Sequence, residues 1–165
     1  MRAAVVPIAF RDEFVLPAIE FWREQPNQPV RAACAISQID ILAEVVAIDQ
    51  SGGQLPRGGA GPFRDDLGQR EPALARIRDA HDSHKHGHLS RRSATEISEG
   101  QRAYRSAGTA VFLGRGVHRS RFFGRTSTAI LHDNGEPIDI GTLIREAMEA
   151  WDRELHRLGY LPPAE

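Results

Sequence analysis

The sequence predicts a mainly α protein: a bundle of four or five helices with a small antiparallel β-hairpin or sheet inserted before the C-terminal helix. Two observations carry this. Apolar residues recur at three- and four-residue steps over about 29–48 and again over about 142–158, and two such amphipathic helices need partners, which a bundle supplies. Between them, Asp133-Asn134-Gly135-Glu136 separates two short β-like runs, and Asn-Gly in that setting is the strongest short-range hairpin signal. A chain of 165 residues is read as a single domain, 1–165, long enough to bury a real core.

Taken in order, Arg11 to Gln25 reads as the first helix, with Phe14, Ile19, Phe21 and Trp22 as apolar anchors and Pro17 either starting or kinking it. Pro26-Asn27-Gln28-Pro29 is a break, in which Asn27 is the expected N-cap and Pro29 sits in the first turn of the next helix. That helix, about Pro29 to Ile48, places Val30, Ala33, Cys34, Ile36, Ile39, Leu42, Ala43 and Val46 on apolar positions. Its few polar residues, Arg31, Gln38, Asp40 and Glu44, are too sparse for a freely exposed helix, so it is expected to be central. The Gly-rich segment 51–61 has no core pattern and reads as a mobile loop. Phe63 to Arg70 reads as a short helix. Pro72 starts a longer one, with Glu71 beside its positive end, Leu74, Ile77 and His81 on one stripe, and Gly87 as the stop.

Residues 89–108 are polar and irregular, and 109–140 read as a basic loop and β insertion. Thr109 to Leu113 is the first expected strand, Gly114 to Arg125 a loop, Thr126 to His132 a second strand, and Ile138 and Ile140 a short return strand. Gly141-Thr142 opens the last helix. Leu143, Ile144, Ala147, Met148, Trp151, Leu155 and Leu158 form its apolar face, and Gly159 ends it. Trp22 and Trp151 read as core or interface anchors.

Composition narrows the class. The chain is 41% hydrophobic and 26% charged, as in ordinary globular domains. No apolar run approaches the ~20 residues of a membrane helix, and the early Arg11, Asp12 and Glu13 argue against a signal peptide. The expected location is therefore the cytoplasm, with no membrane partner. The single cysteine, Cys34, excludes an internal disulfide and is expected to be a buried, inert thiol among its alanine neighbours. The net charge of −1 hides an asymmetry. Residues 85–125 hold nine basic residues against two acidic ones, a local balance of +7. Such a segment either faces an anionic partner or lies across the acidic helices of its own chain.

The chemically densest stretch runs from Arg76 to His88. It contains four of the seven histidines and the only lysine of the chain, Lys85. Histidine changes charge near neutral pH and is the commonest metal ligand. Arg78-Asp79 followed by His84, five residues intervening, resembles the arginine-polar-histidine motif of the HEPN superfamily. The resemblance covers this helix motif and the overall helical reading. It implies a helical bundle working as a dimer, found in bacterial toxins and defence ribonucleases, and metal-independent cleavage of RNA without a cofactor. It assigns catalysis to Arg78 and His84, with Asp79 and His81 in support. A histidine can move the proton of a ribose 2′-hydroxyl, and an arginine can hold the charge that develops on phosphate. The neighbouring pair Arg76 and His81 has a four-residue interval but is followed by the apolar Ile77. Asp79-x-x-Asp82-x-x-Lys85-His86 also resembles an N-x-x-K-H motif of helical bacterial proteins, which names no activity. It draws attention to Lys85 as an ion-pair partner of Asp82 or a phosphate contact, against an exposed lysine at a helix end.

The same segment admits two other readings. His81, His84 and His88 have the spacing that gathers imidazoles on one helix face, with Asp79, Asp82, His118 or His132 to complete a metal site. The leading reading assigns no metal. A non-catalytic interaction module with a structural His-rich helix end is the closest alternative. Downstream, Arg115, Arg119, Arg121 and Arg125 alternate with small residues and with Phe122 and Phe123. Arginines contact phosphate and exposed aromatics stack on unpaired bases, so this loop and Lys85 are the expected RNA contacts. The competing reading packs Phe122 and Phe123 under the sheet. RNA and a second copy, or another protein, are the expected partners.

Overall fold

The computed structural model describes residues 6–86, 105–106, 128–131 and 137–162. Among them the protein is mainly helical, with a small antiparallel sheet placed before the last helix. The elements in order are α1 (Pro7–Phe10), a π-helical segment (Arg11–Val15), α2 (Leu16–Glu24), α3 (Pro29–Gln50), α4 (Gly61–Arg70), α5 (Pro72–His86), β1 (Arg105–Ser106), β2 (Thr128–Leu131), β3 (Pro137–Asp139) and α6 (Ile140–Arg157). No helix among the described residues is long and apolar enough to cross a membrane.

The first helix starts earlier than its sequence suggests, at Pro7, and its α2 stretch opens at Leu16 with Pro17 in the first turn, one of the two roles expected of that proline. The wider turn of Arg11–Val15, closed by the Leu16 N–H to the Arg11 carbonyl, gives the Pro17 ring the room that a regular α-turn denies it. The extra residue in that turn also shifts the buried face. Val15, Ala18, Ile19 and Trp22 go into the core, while Phe14 and Phe21, both expected as anchors, remain about half exposed at 50% and 46%. Phe14 stacks on Phe10 with ring centroids 5.0 Å apart, and the Arg31 guanidinium lies 3.9 Å from the Phe21 ring centre.

Helix α3 is the hub, packed against α2, α5 and α6. Its N-cap is Gln28 rather than Asn27 and makes no side-chain capping bond, with Pro29 in the first turn. Ala32, Ala35, Ile36, Ile39, Leu42 and Val46 are buried. Val30 and Cys34 are not: Val30 is 72% exposed and Cys34 is a free, exposed thiol, so the expectation of a buried cysteine is corrected. At 100° per residue Cys34 points away from the Ala32–Ala35–Ile36 side that packs. Asp40, by contrast, is a polar residue on the packed side and is buried.

Helices α4 and α5 form a tight hairpin joined through Glu71. A Cβ on Gly68 would sit 3.1 Å from the Ala75 Cβ, which explains a glycine inside α4. The segment 51–60 between α3 and α4 is a series of turns, with positive φ at Gly52, Gly53, Gly58 and Gly59. The sheet order is β1-β2-β3, antiparallel, with Arg105 opposite Ala129 and Ile130 opposite Ile138. Arg105–Ser106 is thus a strand inside a stretch expected to be irregular. The expected strand 109–113, the Arg/Phe loop, the turn 133–136 and the Gly87 stop lie outside the described residues. Asp139 ends β3 and caps α6, its Oδ2 accepting the Thr142 N–H at 2.8 Å. Ile140 therefore opens the helix instead of closing the strand.

One continuous core unites Val15, Ile19 and Trp22 with α3, Leu67 of α4, Leu74 and Ile77 of α5, and Leu143, Ile144, Trp151 and Leu155 of α6. Ion pairs lock its edges. Glu154 is buried and accepts from Arg70 at 2.7 Å and from Arg157 at 2.7 and 2.8 Å. Glu71 takes both ends of the Arg153 guanidinium at 3.0 and 2.6 Å, and Arg11 reaches Asp152 at 3.0 Å.

Candidate functional site

Where α3, α4 and α5 meet, Asp40, Arg64, Arg78, His81 and Asp82 converge, with Glu44 and Asp65 at their edge. Asp40, on the inward stripe of α3 one turn from Ile36, is 4% exposed. A carboxylate with so little water needs donors, and it has two. His81 Nδ1 lies 2.7 Å from Asp40 Oδ2, and Arg64 NH2 lies 3.1 Å from the same oxygen. Arg64 also approaches the Asp40 carbonyl at 3.4 Å and the Glu44 carboxylate at 3.8 Å. Arg78, one turn before Asp82 on α5, donates to Asp65 at 2.6 Å and has its Nε 3.8 Å from Asp82.

The helices dictate this arrangement. Arg78 and Asp82 are four residues apart and share a face of α5, with His81 beside them. Ile77 and Ala80 go into the core, so Arg78 and His81 fall at the margin of the buried stripe, each with 17% of its side chain exposed. The cleft between the helices is narrow, about 10 Å³, with Ile39, Ala43, Leu67, Leu74, Ile77 and Trp151 as its apolar wall and Asp40, Arg64 and Arg78 as its polar lining. That is room for about one water molecule. Trp151 closes the cleft and donates its indole N–H to the Ile39 carbonyl at 3.3 Å.

The residues expected from sequence are distributed unevenly. Arg78 and His81 reach this corner. Asp79, expected to orient the catalytic pair, is buried at 1% exposure. His84 lies in α5 as expected, but its side chain and that of His86 are outside the described residues. Lys85 is exposed, while Asp82 has Arg78 beside it. His88, Arg115, His118, Arg119, Arg121, Phe122, Phe123, Arg125 and His132 are outside the described residues.

Two residues of the cluster carried no role in the sequence reading: Asp40 and Arg64. Asp40 had a legible signal, since it sits within the stripe Ile36, Ile39, Asp40, Ala43 as the one charged residue among apolar ones. Arg64 had none, because one arginine on a short helix is indistinguishable from its neighbours until the helices pack.

Chemically, the arrangement can do two things. A carboxylate that accepts from imidazole Nδ1 fixes the tautomer and leaves Nε2 to accept a proton. Two guanidiniums beside it supply charge complementary to phosphate. Comparison with family models, with curated proteins and with solved structures finds no significant match to the chain.

Proposed function

We propose that the protein acts on RNA as a HEPN-like, metal-independent endoribonuclease of a toxin or defence system, with the Asp40–His81 pair at the centre of its chemistry. The observation that carries this reading is the 2.7 Å contact between His81 Nδ1 and buried Asp40. In it, His81 takes the place first given to His84, and Asp40 takes the orienting role first given to Asp79. His81 Nε2 accepts the proton of a ribose 2′-hydroxyl. The 2′-oxygen attacks phosphorus and the bond to the 5′-oxygen breaks, that oxygen taking a proton from water while the proton on His81 returns to solvent, so that a 2′,3′-cyclic phosphate and a 5′-hydroxyl are left. Arg78 and Arg64, turned from their carboxylates, hold the negative charge on the phosphoryl oxygens in this reading. The +7 segment 85–125 supplies the long-range attraction for a polyanion.

The test is cleavage of single-stranded RNA in EDTA, with product ends analysed. The expected result is cyclic phosphate ends, abolished by His81→Ala and by Asp40→Asn. Absence of cleavage by the wild type, or full activity in His81→Ala, overturns the reading.

A non-catalytic interaction module is the second reading, and one observation favours it. Both arginines are already engaged within the protein, Arg78 with Asp65 at 2.6 Å and Arg64 with Asp40 at 3.1 Å. A cluster neutralised in this way also serves simply to tie α3, α4 and α5 together.

A further inference from the structure

We propose that Asp40, His81 and Asp82 form a binding site for a zinc-class divalent cation. One carboxylate oxygen from each aspartate and one ring nitrogen of His81 all lie within 4.8 Å of one another. A tetrahedral zinc ion with bonds of ~2.0–2.2 Å holds its ligand atoms roughly 3.3–3.6 Å apart. His81 Nδ1 and Asp40 Oδ2, hydrogen-bonded at 2.7 Å, part by roughly 0.6–0.9 Å to take an ion between them, and the Asp82 carboxylate rotates toward it. The donors come from two packed helices, α3 and α5, so these are side-chain adjustments on a backbone already in place. One imidazole with two carboxylates suits zinc and its neighbours better than calcium, which takes six to eight oxygen ligands. Three protein donors leave the fourth position to water.

Charge balance supports the same assignment. Two carboxylates and a neutral imidazole carry −2, which a divalent ion cancels. In the ion-free molecule Arg64 and Arg78 do that work, at 3.1 Å from Asp40 and 3.8 Å from Asp82. Each arginine has a second carboxylate to retain when an ion displaces it: Glu44 lies 3.8 Å from Arg64, and Asp65 lies 2.6 Å from Arg78. Loading therefore leaves no buried cation unpaired. The ion takes the imidazole and carboxylate that RNA cleavage would use, so occupancy and cleavage exclude each other, yet the site stands whether or not the cleavage reading does.

The experiment titrates EDTA-stripped full-length protein with zinc chloride, followed by calorimetry and by thermal melting, with no RNA present. The histidines at 84, 86 and 88 would chelate zinc by themselves, so a variant carrying His84→Gln, His86→Gln and His88→Gln together defines that background. The expected result is one equivalent bound and a raised Tm in the triple variant, with any further equivalent in the wild type due to the removed histidines. Loss of that one equivalent is expected when Asp82→Asn or Asp40→Asn is added to the triple variant, with no calcium binding in any of them. Asp40 is buried, so Asp82→Asn decides the matter if Asp40→Asn does not fold. Failure of the triple variant to bind one equivalent overturns the proposal, as does binding by the triple variant that survives the addition of Asp82→Asn. Cleavage of RNA in EDTA is a separate measurement and is untouched by either outcome.

Discussion

Tyr160 and Asp49, 111 residues apart, are joined by a 2.6 Å hydrogen bond from the phenol to the carboxylate. The turn that ends α6 aims the ring. Gly159 has φ +79°, the Tyr160 N–H returns to the Leu155 carbonyl at 2.9 Å and the Gly159 N–H to the His156 carbonyl at 3.0 Å, which is the Schellman arrangement. Burial, then the Asp49 hydrogen bond and charge, push the Tyr160 hydroxyl up from 10.0 to about 12. Because the folded value is the higher one, the stabilisation is complete below about pH 10 and is lost as the pH rises through about 12. Tyr160→Phe should lower stability at pH 7 by about 1–2 kcal/mol and flatten the alkaline limb of the stability curve, as followed by urea unfolding at a series of pH values. An unchanged alkaline limb in the variant would show that the phenol is not its source.

Glu154 has the opposite sign. Hydrogen bonds from Arg157, and then from Arg70, outweigh the effect of its burial and hold its carboxyl below the usual value of 4.5. The stability it contributes is present above about pH 4.5 and disappears as the pH falls through the lowered native value. Glu154→Gln should cost stability at neutral pH toward the low end of the roughly 3–5 kcal/mol for breaking a buried pair, since both arginines reach water. It should also make unfolding less sensitive to acid. Chemical denaturation at pH 3 and pH 7 measures both effects.

Cys34 is exposed on α3, so the native protein should react with a thiol reagent at one equivalent and at a rate close to that in denaturant. Protection of the thiol in the native state, relieved by urea, would mean that this face of α3 is covered in solution. Comparing the rate across protein concentrations then separates self-association from cover within the chain.

The arginine-rich segment carries a salt prediction. Replacing Arg115, Arg119, Arg121 and Arg125 with glutamine should weaken RNA binding and flatten the dependence of affinity on salt, because each neutralised phosphate releases counterions. Phe122→Ala and Phe123→Ala distinguish stacking from packing. Base stackers lose about 1–3 kcal/mol of RNA affinity each, whereas core phenylalanines lose about 3–5 kcal/mol of stability. Electrophoretic binding curves and thermal melts on the same variants give both numbers.

Much of the helical layout was legible because local signals agreed with burial. Pro29 and Pro72 mark helix starts, Gly159 marks a stop, and the stripe from Leu143 to Leu155 is buried as its spacing predicts. The first helix was misread where one residue too many was hidden in its turn. The π segment rotates Val15 inward and leaves Phe14 outside, and periodicity drawn at a constant 3.6 residues per turn cannot register that. Helix α3 misled in another way. It is apolar on more than one side, so the pattern alone does not say that Cys34 faces solvent. The candidate site was half legible. Arg78 and His81 announced themselves through density of chemistry, but their partner carboxylate lies 41 residues before His81. Long-range pairing of this kind leaves no trace in local spacing.

The dependence of the cleft on α6 has a consequence for synthesis. Trp151 walls the cleft from behind, and Glu154 pins the end of α4 through Arg70. On the ribosome, Asp40, Arg64 and His81 are all translated well before either of these residues exists. A nascent chain stalled short of α6 therefore carries Asp40, Arg64 and His81 without the helix that walls their cleft. Residue order makes α6 the last of the described helices to be translated and the one that closes in groups laid down long before it.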